Sequence, residues 1–148
     1  MDLREQVVQQ IEDSRQLYES LKEQAGVLAD IAECITEAVR QGHKVLLLGN
    51  GGSSADAQHI AAELSGKFRF DREPLPALAL TTNTSCLTAI ANDFGYEAVF
   101  ARQLQAIVAR QDVVVCISTS GNSPSVLRAV EDAQGRGAVT VALTGDCG

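Results

Sequence analysis

A doubly wound α/β sandwich, three layers with a parallel sheet in the middle, is the fold this sequence predicts. Three observations carry the prediction. Apolar runs at 44–48, 76–81, 112–117 and 138–143 alternate with segments of helical periodicity. The runs are apolar at consecutive positions rather than at every second one, as in strands covered on both faces. Two of the runs break into glycine- and serine-rich loops that open the next helix, the geometry of a strand–loop–helix anion site. Alternating strand and helix places the strands parallel and the helices outside them.

The elements follow in order. Residues 2–22 carry Leu3, Val7, Ile11, Leu17 and Leu21 near helical spacing, and residues 26–41 carry Val27, Leu28, Ile31, Ile35, Ala38 and Val39. Both read as amphipathic helices, punctuated by Gly26 and Gly42. A helical hairpin ahead of an α/β core packs on that core or on another subunit. The core begins at strand 44–48 and helix 53–65. Strand 76–81 is bounded by Pro74 and Pro76. A helix over about 84–91 ends at the turn Asn92-Asp93-Phe94-Gly95, and a second helix runs over about 96–109. Strand 112–117, helix 123–134 and strand 138–143 complete the pattern. The last run leads into Thr144-Gly145-Asp146-Cys147-Gly148, a loop that should open another helix. A doubly wound sheet seldom ends on an uncovered strand, so a C-terminal strand and helix are expected beyond these 148 residues.

Composition narrows the function classes. Apolar content of 45% and charged content of 21% fit a globular core. No apolar stretch reaches the ~18 residues of a membrane helix, and the charged N-terminus lacks a signal core, so a cytoplasmic protein without a membrane partner is expected. A net charge of −7 argues against a nucleic-acid partner. It is compatible with a phosphorylated small molecule, because backbone amides and hydroxyls hold a phosphate without a basic surface. Cys34, Cys86, Cys116 and Cys147 form no C-x-x-C pair, and the first three lie in apolar patterns; reduced, buried thiols are expected.

The two loops carry the chemistry. Val45-Leu46-Leu47-Leu48 breaks into Gly49-Asn50-Gly51-Gly52-Ser53-Ser54, which lacks the Gly-Lys-Ser/Thr ending of a Walker A loop and the third glycine of a dinucleotide fingerprint. Val113 to Ile117 breaks into Ser118-Thr119-Ser120-Gly121-Asn122-Ser123, with more hydroxyls than one N-cap needs. Pro124 then fits the first helical position, with Ser123 as both cap and phosphate ligand. At the carboxyl ends of strands in one sheet, the loops would form one crevice. Each loop alone is also compatible with a plain turn or cap. On the helix after the first loop, His59 and Glu63 share a face at i, i+4. That spacing suits two metal ligands, a carboxylate base beside an imidazole, or a surface pair. They lie ~9–15 Å along the helix from Ser53, the scale of a phosphorylated sugar. Asn92-Asp93 reads as a helix stop or a contact. Lys67, Arg69 and Arg72 read as a solvated cluster or an anion-facing one, and His43 as structural.

Taken together, Gly49-Asn50-Gly51-Gly52-Ser53, His59-x-x-x-Glu63, Asn92-Asp93-Phe94-Gly95 and Ser118 to Ser123 resemble the sugar isomerase (SIS) domain family. Within it, the chain is similar to the enzymes that isomerise sedoheptulose 7-phosphate to D-glycero-D-manno-heptose 7-phosphate, a precursor of lipopolysaccharide core or nucleotide-activated heptose. The resemblance implies a flavodoxin-like sandwich with a five-stranded parallel sheet. It implies homotetramers whose active sites are lined by neighbouring subunits, with residues 1–42 as oligomerisation helices and 43–148 as the sugar-phosphate-binding domain. It makes Asn50, Gly51, Gly52, Ser53, Glu63, Asn92, Asp93, Ser118, Thr119, Ser120 and Ser123 substrate contacts, with the serine loop on the phosphate. It makes His59 and Glu63 ligands of one zinc ion per subunit and Glu63 the catalytic acid/base, working through an enediol. A Gln and a His on the family's final helix complete that zinc site and have no counterpart in these residues. A non-catalytic SIS sugar-phosphate-binding module, such as the tetrameric DnaA initiator-associating protein, is the alternative; it lacks the acidic residue matched by Glu63. A sugar-phosphate-sensing regulatory domain is a third, without an attached DNA-binding region to support it.

Overall fold

The computed structural model describes residues 2–145, and the chain falls into two compact units that divide between Cys34 and Ile35. The first unit is helical. Helix α1 (Leu3–Ser20) starts in a capping box: Glu5 N–H donates to Asp2 Oδ1 at 2.8 Å and Asp2 N–H donates to Glu5 Oε2 at 2.8 Å. None of its residues is buried. A 3₁₀ turn at Leu21–Gln24 leads into α2 (Ala25–Arg40). Gly26, expected to mark a helix end, lies inside α2; the chain changes pitch before it, and a single glycine costs a helix only ~1 kcal/mol.

The second unit is the α/β core. After the end of α2 come β1 (Val45–Gly49), α3 (Gly52–Ser65), β2 (Ala77–Ala79), α4 (Thr84–Phe94), a 3₁₀ turn at Tyr96–Ala98, α5 (Ala101–Ile107), β3 (Val113–Ser118), α6 (Pro124–Gly135) and β4 (Val139–Thr144). All four strands that the apolar runs predict are present. They pair in parallel in the order β2-β1-β3-β4, the opening of the flavodoxin-like order. The run 76–81 yields a strand of only three residues, because β2 is an edge strand and pairs on one side. The helix expected over 96–109 is broken into a 3₁₀ turn and α5.

Consecutive apolar residues are buried along the two central strands, β1 and β3, as a doubly covered sheet requires, whereas β2 and β4, each paired on one side only among the described residues, leave Leu78, Val139 and Leu143 exposed. Leu46, Leu48, Val114 and Cys116 pack with Phe100 and Leu104 in the core. At the amino-terminal edge, the Asp112 carboxylate accepts from Lys44 Nζ at 2.6 Å, Lys44 N–H at 3.0 Å and Ala109 N–H at 2.7 Å. One buried side chain thus joins the starts of β1 and β3.

The connection from β1 through α3 runs to β2 on one side, and the chain then crosses back to place β3 on the other side of β1. The strand order therefore reverses between β1 and β3. In an open α/β sheet, that switch point at the carboxyl ends of the strands is where ligands bind.

Candidate functional site

Both predicted loops emerge at this switch point. Gly49 at the end of β1 is in register with Ile117 on β3, so the loops following the two strands start side by side. Gly49 is there because nothing larger fits: a Cβ would lie 2.7 Å from Ser53 Cβ and 2.8 Å from the Ile117 carbonyl oxygen. Gly51 turns the chain with φ 55° and ψ −121°, a conformation open to glycine alone. Helix α3 starts at Gly52, and the first turn of a helix carries backbone N–H groups without intrahelical acceptors. Its positive dipole end adds to the attraction for an anion.

The second loop differs in one respect from its sequence reading. Ser123 is the N-cap residue of α6, but its side chain does not cap the helix. Its hydroxyl lies 3.2 Å from Ser118 Oγ, so two hydroxyls converge at the loop instead of one serving the helix. Ser118 is buried, and Thr119 and Ser120 are exposed. Asn122 braces the turn, donating from its N–H to Ser120 Oγ at 3.2 Å and from Nδ2 to the Ser120 carbonyl at 2.7 Å.

Asn50 ties the first loop to the first turn of α6 and to the 3₁₀ turn after α4. Its Nδ2 donates to Ser125 Oγ at 3.0 Å, and its Oδ1 accepts from the Tyr96 hydroxyl at 2.9 Å. These three residues line a cavity of about 430 Å³ together with Phe94 and Ser123. Asn92 and Asp93 stand in the last turn of α4, which extends three residues past the expected stop. They are exposed, and Asn92 Nδ2 donates to Asp93 Oδ1 at 2.8 Å.

His59 and Glu63 form a separate group. His59 Nε2 and Glu63 Oε1 are 3.8 Å apart, with the imidazole 74% and the carboxylate 33% exposed. They line a second cavity of about 320 Å³ with Ile60, Leu64, Phe68 and Arg72. An imidazole nitrogen and a carboxylate oxygen are donors that zinc accepts, but a closed site needs three or four protein ligands. Among the described residues, no group of three such side chains converges. The pair fits zinc in kind and falls short in number.

Arg72 is spent structurally: its guanidinium donates to the Glu63 carbonyl at 2.8 Å and the Leu64 carbonyl at 2.9 Å, satisfying the last turn of α3. Lys67 pairs with Asp71 at 2.6 Å and Arg69 lies over the Phe68 ring, so no concerted anion site forms among the three. Cys116 is buried, which pushes its thiol up to about 12. Cys34 and Cys86 are free and only half-buried, less enclosed than expected from their apolar contexts, and Cys147 lies outside the described residues. Sequence reasoning missed Tyr96 and Ser125, because each joins the site only through packing; a tyrosine two residues after the Asn-Asp-Phe turn was the available signal.

A parallel sheet with paired glycine and serine loops at its switch point is an α/β architecture whose ligand crevice suits an anion. Residues 9–145 match the family model described as SIS domain, and the chain belongs to that family. Its relatives are more particular. The phosphoheptose isomerase of Aquifex aeolicus is 55% identical over 118 residues, which are 80% of this chain and 62% of that protein. The phosphoheptose isomerase of Geobacter sulfurreducens is 50% identical over 140 residues, 94% of this chain and 74% of that one. Among solved structures, a phosphoheptose isomerase from Francisella tularensis superposes with TM-score 0.96 at 34% identity, over 100% of this chain and 78% of the other. The Neisseria gonorrhoeae phosphoheptose isomerase superposes with TM-score 0.92 at 42% identity, over 99% and 78%. The α/β fold predicted from the apolar runs is therefore the fold of these enzymes. No helix among the described residues is long and apolar enough to cross a membrane.

Proposed function

We propose that the protein isomerises sedoheptulose 7-phosphate to D-glycero-D-manno-heptose 7-phosphate, supplying heptose for lipopolysaccharide-type precursors. The single observation that supports this best is the placement of the Gly49–Ser54 and Ser118–Ser123 loops side by side at the switch point, with Glu63 on the helix that the first loop launches. The similarity to proteins named phosphoheptose isomerase supports the substrate class.

In this reading the phosphate sits on the α3 and α6 amino termini, contacted by the amides of Gly51, Gly52 and Ser53 and the hydroxyls of Ser118, Thr119, Ser120 and Ser123. Asn50, Asn92 and Asp93 flank the sugar. Binding the remote phosphate adds no chemistry; it orients the reacting carbons. Glu63 removes a proton from C1 of the ketose, giving an enediol, and returns a proton to C2, giving the aldose. Proton movement between the two oxygens completes the balance. Zinc, held by His59 and Glu63 with further donors, would supply Lewis-acid polarisation of the carbonyl. Metal analysis of purified protein tests that assignment independently of turnover: His59→Ala should lower bound zinc.

The Glu63 cavity and the loop cavity are distinct in one chain. In a homotetramer, neighbouring copies would complete the site between them.

The deciding experiment follows exchange of the substrate's C1 proton with deuterated solvent at saturating sedoheptulose 7-phosphate. Glu63→Gln keeps the size and one acceptor oxygen but cannot take the proton, so exchange should slow by at least ~10²–10⁴-fold while substrate binding persists. Exchange at the wild-type rate would remove Glu63 as the base, whereas a wild type that exchanges the proton no faster than free substrate in solution would favour a non-catalytic binding module.

A further inference from the structure

We propose that Tyr96 is a positioning residue of the sugar-phosphate site, acting through Asn50; this rests on the function proposed above. The Tyr96 hydroxyl reaches Asn50 Oδ1 at 2.9 Å across 46 residues of sequence, and Asn50 Nδ2 reaches Ser125 Oγ at 3.0 Å across 75. One line of hydrogen bonds therefore joins three segments: the turn after α4 that follows Asn92 and Asp93, the loop after β1, and the first turn of α6 behind the serine loop.

Each end of the line has its own character. Ser125 is 3% exposed, so its hydroxyl is a fixed anchor beneath the loop. Tyr96 is 59% exposed, so its ring contributes little burial and its hydroxyl is the part the fold engages. Between them, both ends of the Asn50 amide are engaged. Both partners are hydroxyls, able to donate or accept, so the amide stays tethered at both ends in either orientation and is held from swinging out of the line. The residue it immobilises directly precedes Gly51, whose positive φ sets the direction in which the α3 amides face. The two ends also border the same cavity of about 430 Å³, which opens beside Ser123. Tyr96 thus acts at a distance from the phosphate: it holds the loop that holds the phosphate. Rigid, prearranged donors bind more tightly than donors that must be ordered on binding.

Two measurements test this. In free protein, hydrogen–deuterium exchange of peptides spanning residues 49–58 should quicken in Tyr96→Phe, with β3 peptides unchanged. In titrations with sedoheptulose 7-phosphate, Tyr96→Phe should weaken binding about three- to tenfold, the loss of one neutral hydrogen bond. KM should rise accordingly, with kcat held within about twofold. The same substitution placed in Asn50→Ala should add nothing, because its effect runs through the missing amide. Additive effects of Tyr96→Phe and Asn50→Ala would overturn the proposal, as would unchanged loop exchange in Tyr96→Phe. A wild-type protein that fails to bind the sugar phosphate would instead overturn the proposed function, and loop exchange would then decide the link between Tyr96 and Asn50 alone.

Discussion

Asp112 is the residue on which the amino-terminal edge of the sheet depends. Its side chain is 2% exposed, and its two oxygens take three donors, one of them the Lys44 ammonium. Burial alone would raise its pKa, but the hydrogen bonds and charge of Lys44, with the Ala109 N–H, hold the carboxyl below its usual range. A carboxylate with a lowered folded-state pKa adds stability above its unfolded value, and that stability is lost as pH falls through the folded value. Asp112→Asn should therefore cost about 2–4 kcal/mol at pH 7, by denaturant titration, since it leaves Lys44 without its charge partner. The gap between wild type and variant should narrow below about pH 4, where the unfolded carboxylate protonates. A gap independent of pH would show that packing, and not the charge, is what Asp112 supplies.

At the scale of elements, the contact between β1, β3 and the start of α3 depends on a missing side chain. Gly49 lies where β1 gives way to the loop, and any Cβ there meets the Ile117 carbonyl, Ser53 Cβ and the Ser53 carbonyl, all within 2.9 Å. Two of these atoms are backbone oxygens, which cannot step aside as a side chain would. Gly49→Ala should destabilise the protein by about 1–3 kcal/mol, as overpacking does. It should also weaken sugar-phosphate binding, because relief comes only by moving α3 away from β3. Thermal unfolding and titration check both effects. An alanine variant that binds as wild type would mean that the loops need not adjoin this closely. The Ser118–Ser123 hydroxyl pair belongs to the same scale: it forms because β3 ends opposite the first turn of α6.

For the whole molecule, the question is what covers α1. Leu3, Val7, Val8, Ile11 and Leu17 are each at least 49% exposed on a helix that buries none of its residues. Helices gain most of their stability from packing an apolar face rather than from propensity. A second copy of the chain, related by symmetry, would cover such a face. Sedimentation at micromolar concentration should show an assembly larger than a monomer, and Ile11→Asp should shift it toward smaller species with the α/β core still folded by circular dichroism. A wild-type monomer at that concentration would count against both the assembly and an active site shared between copies.

The sequence by itself determined what short windows can hold. Consecutive apolar residues mark the four strands. The Gly49–Ser54 and Ser118–Ser123 stretches mark the loops. The i, i+4 spacing puts His59 beside Glu63, and the structure bears out that they lie within 3.8 Å. Each is a property of neighbouring residues, set by the period of a helix or a strand. Only the tertiary structure decided the rest. The β2-β1-β3-β4 order, which seats both loops at one switch point, is a matter of chain crossing. The Ser123 hydroxyl left the cap for Ser118, and Asn50 found Tyr96 and Ser125 across 46 and 75 residues. Lys44 found Asp112 across 68. No periodicity encodes such pairings. They form because burying the sheet brings distant segments together, and polar groups carried along must then satisfy one another.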